Sequence, residues 1–196
     1  MDLTEGTQEE KQIRSKKMML WFAIGSLIMT FAALTSAFIV SRKREDWLNE
    51  FELPQPFLIS VFVIIISSIT MILAKRAMIQ NNRSQTTMFL LVTFALGVFF
   101  ILNQFQGFSQ FIAQGYNFTG PTSNVTISFI YVIAVVHIAH VIGALISLLV
   151  VIYQHLKQKY SPENMLGIEL AAHFWHFVDI LWVCLFLFLY FFRYII

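Results

Sequence analysis

The sequence predicts an all-α, polytopic membrane protein with five transmembrane helices in a bundle. Three observations carry this. Of 196 residues, 58% are hydrophobic and 12% charged, about half the charged share usual in a soluble domain. Five stretches are apolar over the ~20 residues that a helix needs to cross hydrocarbon. All four prolines, Pro54, Pro56, Pro121 and Pro162, fall between those stretches, where they interrupt no helix interior. The runs are continuously apolar rather than alternating, which argues against a membrane β-barrel.

The spans are expected near residues 18–40, 57–74, 88–111, 125–153 and 168–194. Before the first lies a polar stretch of mixed charge, with Asp2, Glu5, Glu9 and Glu10 against Lys11, Arg14, Lys16 and Lys17. No small-residue cleavage pattern follows the first apolar run, so it reads as a retained span rather than a signal peptide. That span is rich in small residues (Ala23, Gly25, Ser26, Thr30, Ala32, Ala33, Ser36, Ala37), a composition that lets helices approach closely in lipid. The third span closes on Asn103, Gln104, Gln106 and Gln110, read as a polar helix edge reaching the interface or, alternatively, as pore-lining. Trp21, Trp47, Tyr153, Tyr160, Tyr190 and Tyr194 near span ends suit an aromatic belt. The one cysteine, Cys184, reads as a small buried hydrophobe and excludes an intrachain disulfide. With no soluble segment appended, residues 1–196 read as a single domain with 1–17 as a cytoplasmic tail.

Charge sets the orientation. The flanks on the N-terminal side carry nine Lys and Arg, and the opposite flanks carry four: Arg42, Lys43, Arg44 and Arg193. The positive-inside rule then places the N-terminus in the cytoplasm and the C-terminus outside. The Arg42–Arg44 cluster works against that assignment. A net charge of +2 is too small to point to nucleic acid.

The chemistry-bearing residues lie inside the last two spans. His137 and His140 are three apart, with Gly143 three further on. In the fifth span Glu169, His173, His176 and Asp179 follow at steps of four, three and three. At about 100° per residue the first three share a ~60° sector and Asp179 flanks it, a polar stripe along about three turns. A carboxylate in hydrocarbon costs several kcal/mol, at least about 2.5 on insertion scales, so these groups need partners. His173, His176, and His137 or His140 are the expected ones for Glu169 and Asp179.

Metal binding, haem ligation, a proton path and a structural polar seam compete for this stripe. A di-metal site needs carboxylates from several helices, and both in-span carboxylates belong to one. Haem needs an axial ligand set apart from the rest, and no histidine is singled out. Nor does a Ser or Cys nucleophile stand beside a His–carboxylate pair, and no phosphate-cradling glycine loop is present. A self-contained small transporter would show internal repeats and broken helices, and neither is evident. The reading favoured is a polar seam that fixes packing, formed by His137, His140, Gly143, Glu169, His173, Trp175, His176, Asp179 and Trp182.

The run Glu169, Ala171, Ala172, Trp175, His176, Phe177, Val178, Asp179, Trp182 resembles the signature of the last helix of haem–copper oxidase subunit III. His137, His140, Val141 and Gly143 resemble the His-x-x-His-Val-x-x-Gly of the preceding helix, with the glycine displaced by one. The resemblance covers the whole chain in outline and about the last 60 residues in detail. It implies the five-helix bacterial form, with the N-terminus cytoplasmic. Two departures stand out: Leu27 follows Ser26 where many members carry a carboxylate, and His173 stands where an aromatic residue is common.

The resemblance implies an accessory subunit III of an aa3-type cytochrome c oxidase in the bacterial inner membrane. Haem and copper are then expected in partner subunits I and II, with no redox centre, metal or cofactor in this chain. It also implies packing on subunit I, bound phospholipid, support of proton uptake during oxygen reduction, and a place in a larger respiratory supercomplex. A quinol oxidase subunit or a nitric-oxide-reductase-associated homologue is the alternative, because the electron donor is chosen in subunit II.

Overall fold

A computed structural model of the chain describes residues 7–48, 51–120 and 123–192. Five α-helices follow in order: α1 Gln8–Val40, α2 Gln55–Ile79, α3 Arg83–Ala113, α4 Val125–Leu156 and α5 Leu166–Phe192. Each is long and apolar enough to cross a membrane. Pro121, Arg193, Tyr194, Asp2 and Glu5, all used in the sequence reading, lie outside the described residues.

The helices outrun their apolar cores at the end of the bundle where α1 begins. Thr7 caps α1 with a reciprocal box: its hydroxyl accepts from the Glu10 N–H at 3.3 Å and the Glu10 carboxylate accepts from the Thr7 N–H at 2.9 Å. These two bonds satisfy free end groups, so the helix starts in the charged segment and carries Lys11, Arg14, Lys16 and Lys17 up to the apolar run. The same end holds Lys75, Arg76, Arg83, Lys157 and Lys159 and is called here the basic end. Pro56 occupies the first turn of α2, where no N–H is missed. Asn82 and Asn124 cap α3 and α4 by accepting from Gln85 N–H and Ile127 N–H. At the opposite end Arg44 is neutralised by a bidentate pair with Asp46, at 2.8 and 3.2 Å, which raises the Arg44 pKa and lowers that of Asp46.

Helices α2, α3, α4 and α5 close into a ring, each packing on its two neighbours, and α1 lies outside against α4 and α5. α1 reaches its neighbours through one narrow ridge, Ile24, Phe31 and Phe38, its buried residues. They are spaced by seven, so they stand on one line of the helix. The small residues from Ala23 to Ala37, whose expected helix partner need not belong to this chain, are all exposed here. Large side chains make the intrachain contact: Phe31 meets His137 and His140 of α4, and Phe38 meets rings of both α4 and α5. Phe38 is fully enclosed by Trp47, Phe129, Phe188 and Phe192, with ring centroids 5.0–6.1 Å apart.

Other expectations are corrected by packing. Trp47 and Tyr160 are buried rather than presented as a belt. Asn103 and Gln104 face the bundle interior, Asn103 donating to the Pro56 carbonyl at 2.6 Å, while Gln106 and Gln110 are exposed. Cys184 is exposed on α5 instead of buried. Helical phase decides these cases, and composition alone does not reveal it.

Candidate functional site

The packed face of α5 is organised by two tryptophans one heptad apart. Trp175 donates its indole N–H to the Ser67 hydroxyl at 3.0 Å, and Trp182 donates to the Ser60 hydroxyl at 2.9 Å. Ser60 passes its own hydrogen to the Phe57 carbonyl at 2.7 Å. Ser60 and Ser67 are also seven apart, so each step of seven along α5 is met by seven back along α2. That is the register of two antiparallel helices. All four side chains are buried, and an indole N–H in hydrocarbon needs an acceptor.

The same register carries the polar residues outward toward the basic end. Ser68 and His176 Nδ1 share a hydrogen bond of 2.6 Å. One heptad further, Lys75 lies 3.7 Å from Glu169, and Lys17 of α1 lies 3.7 Å from the other carboxylate oxygen. Glu169 therefore joins α1, α2 and α5 at the basic end. It also sits in the first turn of α5, where the helix dipole favours an acid. The expected pairing of Glu169 with histidines does not occur. The lysines reach it first, because the stripe begins where the helix leaves the apolar layer.

The histidines separate. His173 is exposed, donates its Nδ1–H to the Glu169 carbonyl at 2.6 Å and meets Trp21 of α1 at 6.5 Å between centroids. His140 likewise donates to the Val136 carbonyl at 2.7 Å. His137 is fully buried, stacked on Trp182 at 4.9 Å and ringed by Phe31 and Phe100. Neither of its ring nitrogens has a hydrogen-bond partner, so His137 pairs with neither carboxylate and is held by ring packing. Gly143 faces open space, with nothing within 4 Å of a methyl group placed on it. The stripe seen in the sequence thus faces three surroundings and is not one continuous seam.

Asp179 differs from the rest. It is 3% exposed, and neither carboxylate oxygen has a hydrogen-bond partner. None of the expected histidine pairs forms here either. Among the described residues no three His, Cys, Asp or Glu side chains converge as a metal-ligand set.

Several positions escaped the sequence reading. Ser60, Ser67 and Ser68 receive the α5 side chains, and their spacing of seven matched to Trp175 and Trp182 was the available signal. Gly97 of α3 makes room for Trp175: a methyl there would sit 2.6 Å from the indole edge and 2.9 Å from Leu145. His155, 3% exposed, places Nε2 3.1 Å from the Thr87 hydroxyl and 3.3 Å from the Arg83 carbonyl. Arg83 in turn donates to the Tyr160 carbonyl at 3.2 Å. Burial pushes the Tyr160 phenol up, keeping it neutral in the α4–α5 loop.

Comparison with known proteins adds an independent line. The profile of the family Cytochrome c oxidase subunit III matches residues 16–194. The cytochrome c oxidase subunit 3 of Spodoptera frugiperda is 32% identical over 143 residues, covering 72% of this chain and 90% of that protein. The cytochrome bo(3) ubiquinol oxidase subunit 3 of Buchnera aphidicola subsp. Acyrthosiphon pisum is 28% identical over 191 residues, 95% of this chain and 92% of that protein. The Drosophila melanogaster cytochrome c oxidase subunit 3 is 31% identical over 72% of this chain, which spans about half (51%) of that relative. Five apolar helices, the two histidine and carboxylate motifs on α4 and α5, and a match along nearly the whole chain agree, and this protein belongs to the cytochrome c oxidase subunit III family.

Proposed function

We propose that the chain is the accessory subunit III of a bacterial aa3-type cytochrome c oxidase, one domain over residues 1–196, working only within the assembled complex. The observation that carries the reading is the family match along residues 16–194. Haem and copper then reside in partner subunits I and II, and oxygen reduction happens there. The Trp–Ser ladder between α2 and α5 and the Lys17–Glu169–Lys75 junction hold the bundle in a fixed shape. His137, His140, Gly143, Glu169, His173, Trp175, His176, Asp179 and Trp182 serve structure rather than catalysis in this reading. A rigid bundle packed on subunit I supports stability and proton uptake during turnover, alone or within a larger respiratory supercomplex.

The nine basic residues gathered at the basic end, four of them on α1, support a cytoplasmic N-terminus and a periplasmic C-terminus in the inner membrane. Phospholipid binding is supported by a cavity of about 610 Å³ at the basic end between α1, α4 and α5. Lys16, Lys159, Gln154 and Asn164 line its polar side, while Val150 and Leu170 line its apolar side. Cations above an apolar wall suit an anionic headgroup and its acyl chain.

A quinol oxidase subunit is the second reading, favoured by the alignment with the bo(3) relative over 95% of this chain. Purification from native membrane separates the two. A complex containing haem and copper that oxidises reduced cytochrome c supports the first reading. Oxidation of a quinol alone supports the second. Elution without any haem-containing subunit overturns both.

A further inference from the structure

We infer that the groove between α2 and α5 at Asp179 receives a membrane-spanning helix of a partner subunit that presents a hydrogen-bond donor to the carboxyl group. This rests on the reading of the chain as one subunit of a membrane complex. The groove encloses about 290 Å³ and is lined by Ile65, Ser68 and Ile69 of α2 and by Asp179, Ile180 and Cys184 of α5. Its rim faces outward, with Ile65, Ile69 and Ile180 all exposed. Asp179 closes its floor, buried and with both oxygens unpartnered.

This chain does not supply the missing donor among the described residues. His176 Nδ1 is shared with Ser68, His173 Nδ1–H goes to the Glu169 carbonyl, His137 lies among the rings of Trp182, Phe31 and Phe100, and none of them reaches an Asp179 oxygen. Ser68 can turn its hydrogen toward Asp179 only if His176 Nδ1–H is the donor in their shared bond. Even then one donor meets a group offering about four acceptor sites when ionised. A neutral acid still leaves its carbonyl oxygen to be satisfied.

Depth decides what can reach the site. α5 runs 27 residues, and Asp179 stands at its middle, about 20 Å from either end at 1.5 Å per residue. Acyl chains carry no donor, and no bulk water reaches that depth to satisfy a polar group. Headgroups and bulk water lie near the helix ends. A spanning helix is the occupant that brings a hydroxyl, amide, indole or cationic side chain to mid-bilayer. A second copy docking by the same groove would be isologous and set carboxyl against carboxyl, which brings no hydroxyl, amide, indole or cationic side chain, and its capture is an outcome the test below reads.

The test uses the assembled complex in native membranes. Ile180 is replaced by the photoreactive residue benzoylphenylalanine, the membranes are irradiated, and adducts are mapped by mass spectrometry. The expected adduct is a second membrane protein, captured in an apolar span within one helical turn of a donor side chain. Asp179→Leu should lower that yield at least about fivefold, whereas Asp179→Asn, which still accepts a hydrogen bond, should hold it within about twofold. If Asp179→Leu depletes the chain from the membrane, the Ile180 adduct with Asp179 intact decides alone. Lipid adducts only, capture of a second copy, or capture of a span lacking a nearby donor overturns the inference. Haem in the purified complex reports separately: lipid adducts within a haem-containing complex sink the groove and leave the subunit reading. A captured partner without haem does the reverse.

Discussion

Gly97→Ala is the sharpest probe of how this bundle is held together. In an isolated helix the change is favourable by about 0.8–1.0 kcal/mol. In the bundle the added methyl would stand 2.6 Å from Trp175 Cη2, 2.9 Å from Leu145 Cδ2 and 3.1 Å from Trp175 Cζ2. Carbon atoms rest at about 3.5–4.0 Å, so the indole must retreat by roughly 1 Å. It is tethered by its N–H to Ser67 at 3.0 Å, and a shift of that size weakens the bond. Overpacking costs about 1–3 kcal/mol and the lost interhelical bond about 0.6–1.7. After the propensity gain the net destabilisation is about 1–4 kcal/mol. Titrating the purified chain from mild detergent into SDS, followed by far-UV circular dichroism, reads this directly. Trp175→Phe removes the clashing edge, so adding Gly97→Ala to it should cost about 1 kcal/mol less than in the parent. Gly143→Ala, with nothing within 4 Å, should be neutral or slightly stabilising. Unchanged stability in Gly97→Ala, or a penalty untouched by Trp175→Phe, would refute the close-approach argument.

Two further outcomes follow from the ladder and the ionic junction. Ser67→Ala should destabilise by about 1 kcal/mol and blue-shift the tryptophan emission, because the buried Trp175 N–H loses its acceptor; equal emission and stability would show that packing alone seats the ring. Glu169→Gln should cost less than about 1 kcal/mol at low salt and nearly nothing at high salt. Its two lysine contacts are loose at 3.7 Å and the carboxylate side chain is 30% exposed. A salt-independent loss of several kcal/mol in that variant would mean that Glu169 is a buried anchor and not a surface clasp.

Much of the architecture was legible because it follows from one-dimensional chemistry. A 20-residue apolar run has a single outcome in a bilayer, and proline positions mark where helices stop. The helix ends were less legible: α1 continues to Gln8 because Thr7 and Glu10 cap it, a local bond that hydropathy does not register. Partner choice was least legible. Four-three-three spacing places Glu169, His173, His176 and Asp179 on one side of α5, yet neighbouring helices supply lysines to the first, a serine to the third and nothing to the last.

By itself the sequence determined five spanning helices, the asymmetry of basic charge between their ends, and the two motifs that mark the family. Those properties sum over residues or repeat along one helix, so no fold is needed to read them. Only the tertiary structure decided that Ser60 and Ser67 meet Trp182 and Trp175, that the small face of α1 is left outward, and that Asp179 is buried without a donor. Each depends on the rotation and register of one helix against another. Contacts set by a residue more than 100 positions away leave no trace in the local pattern of either helix.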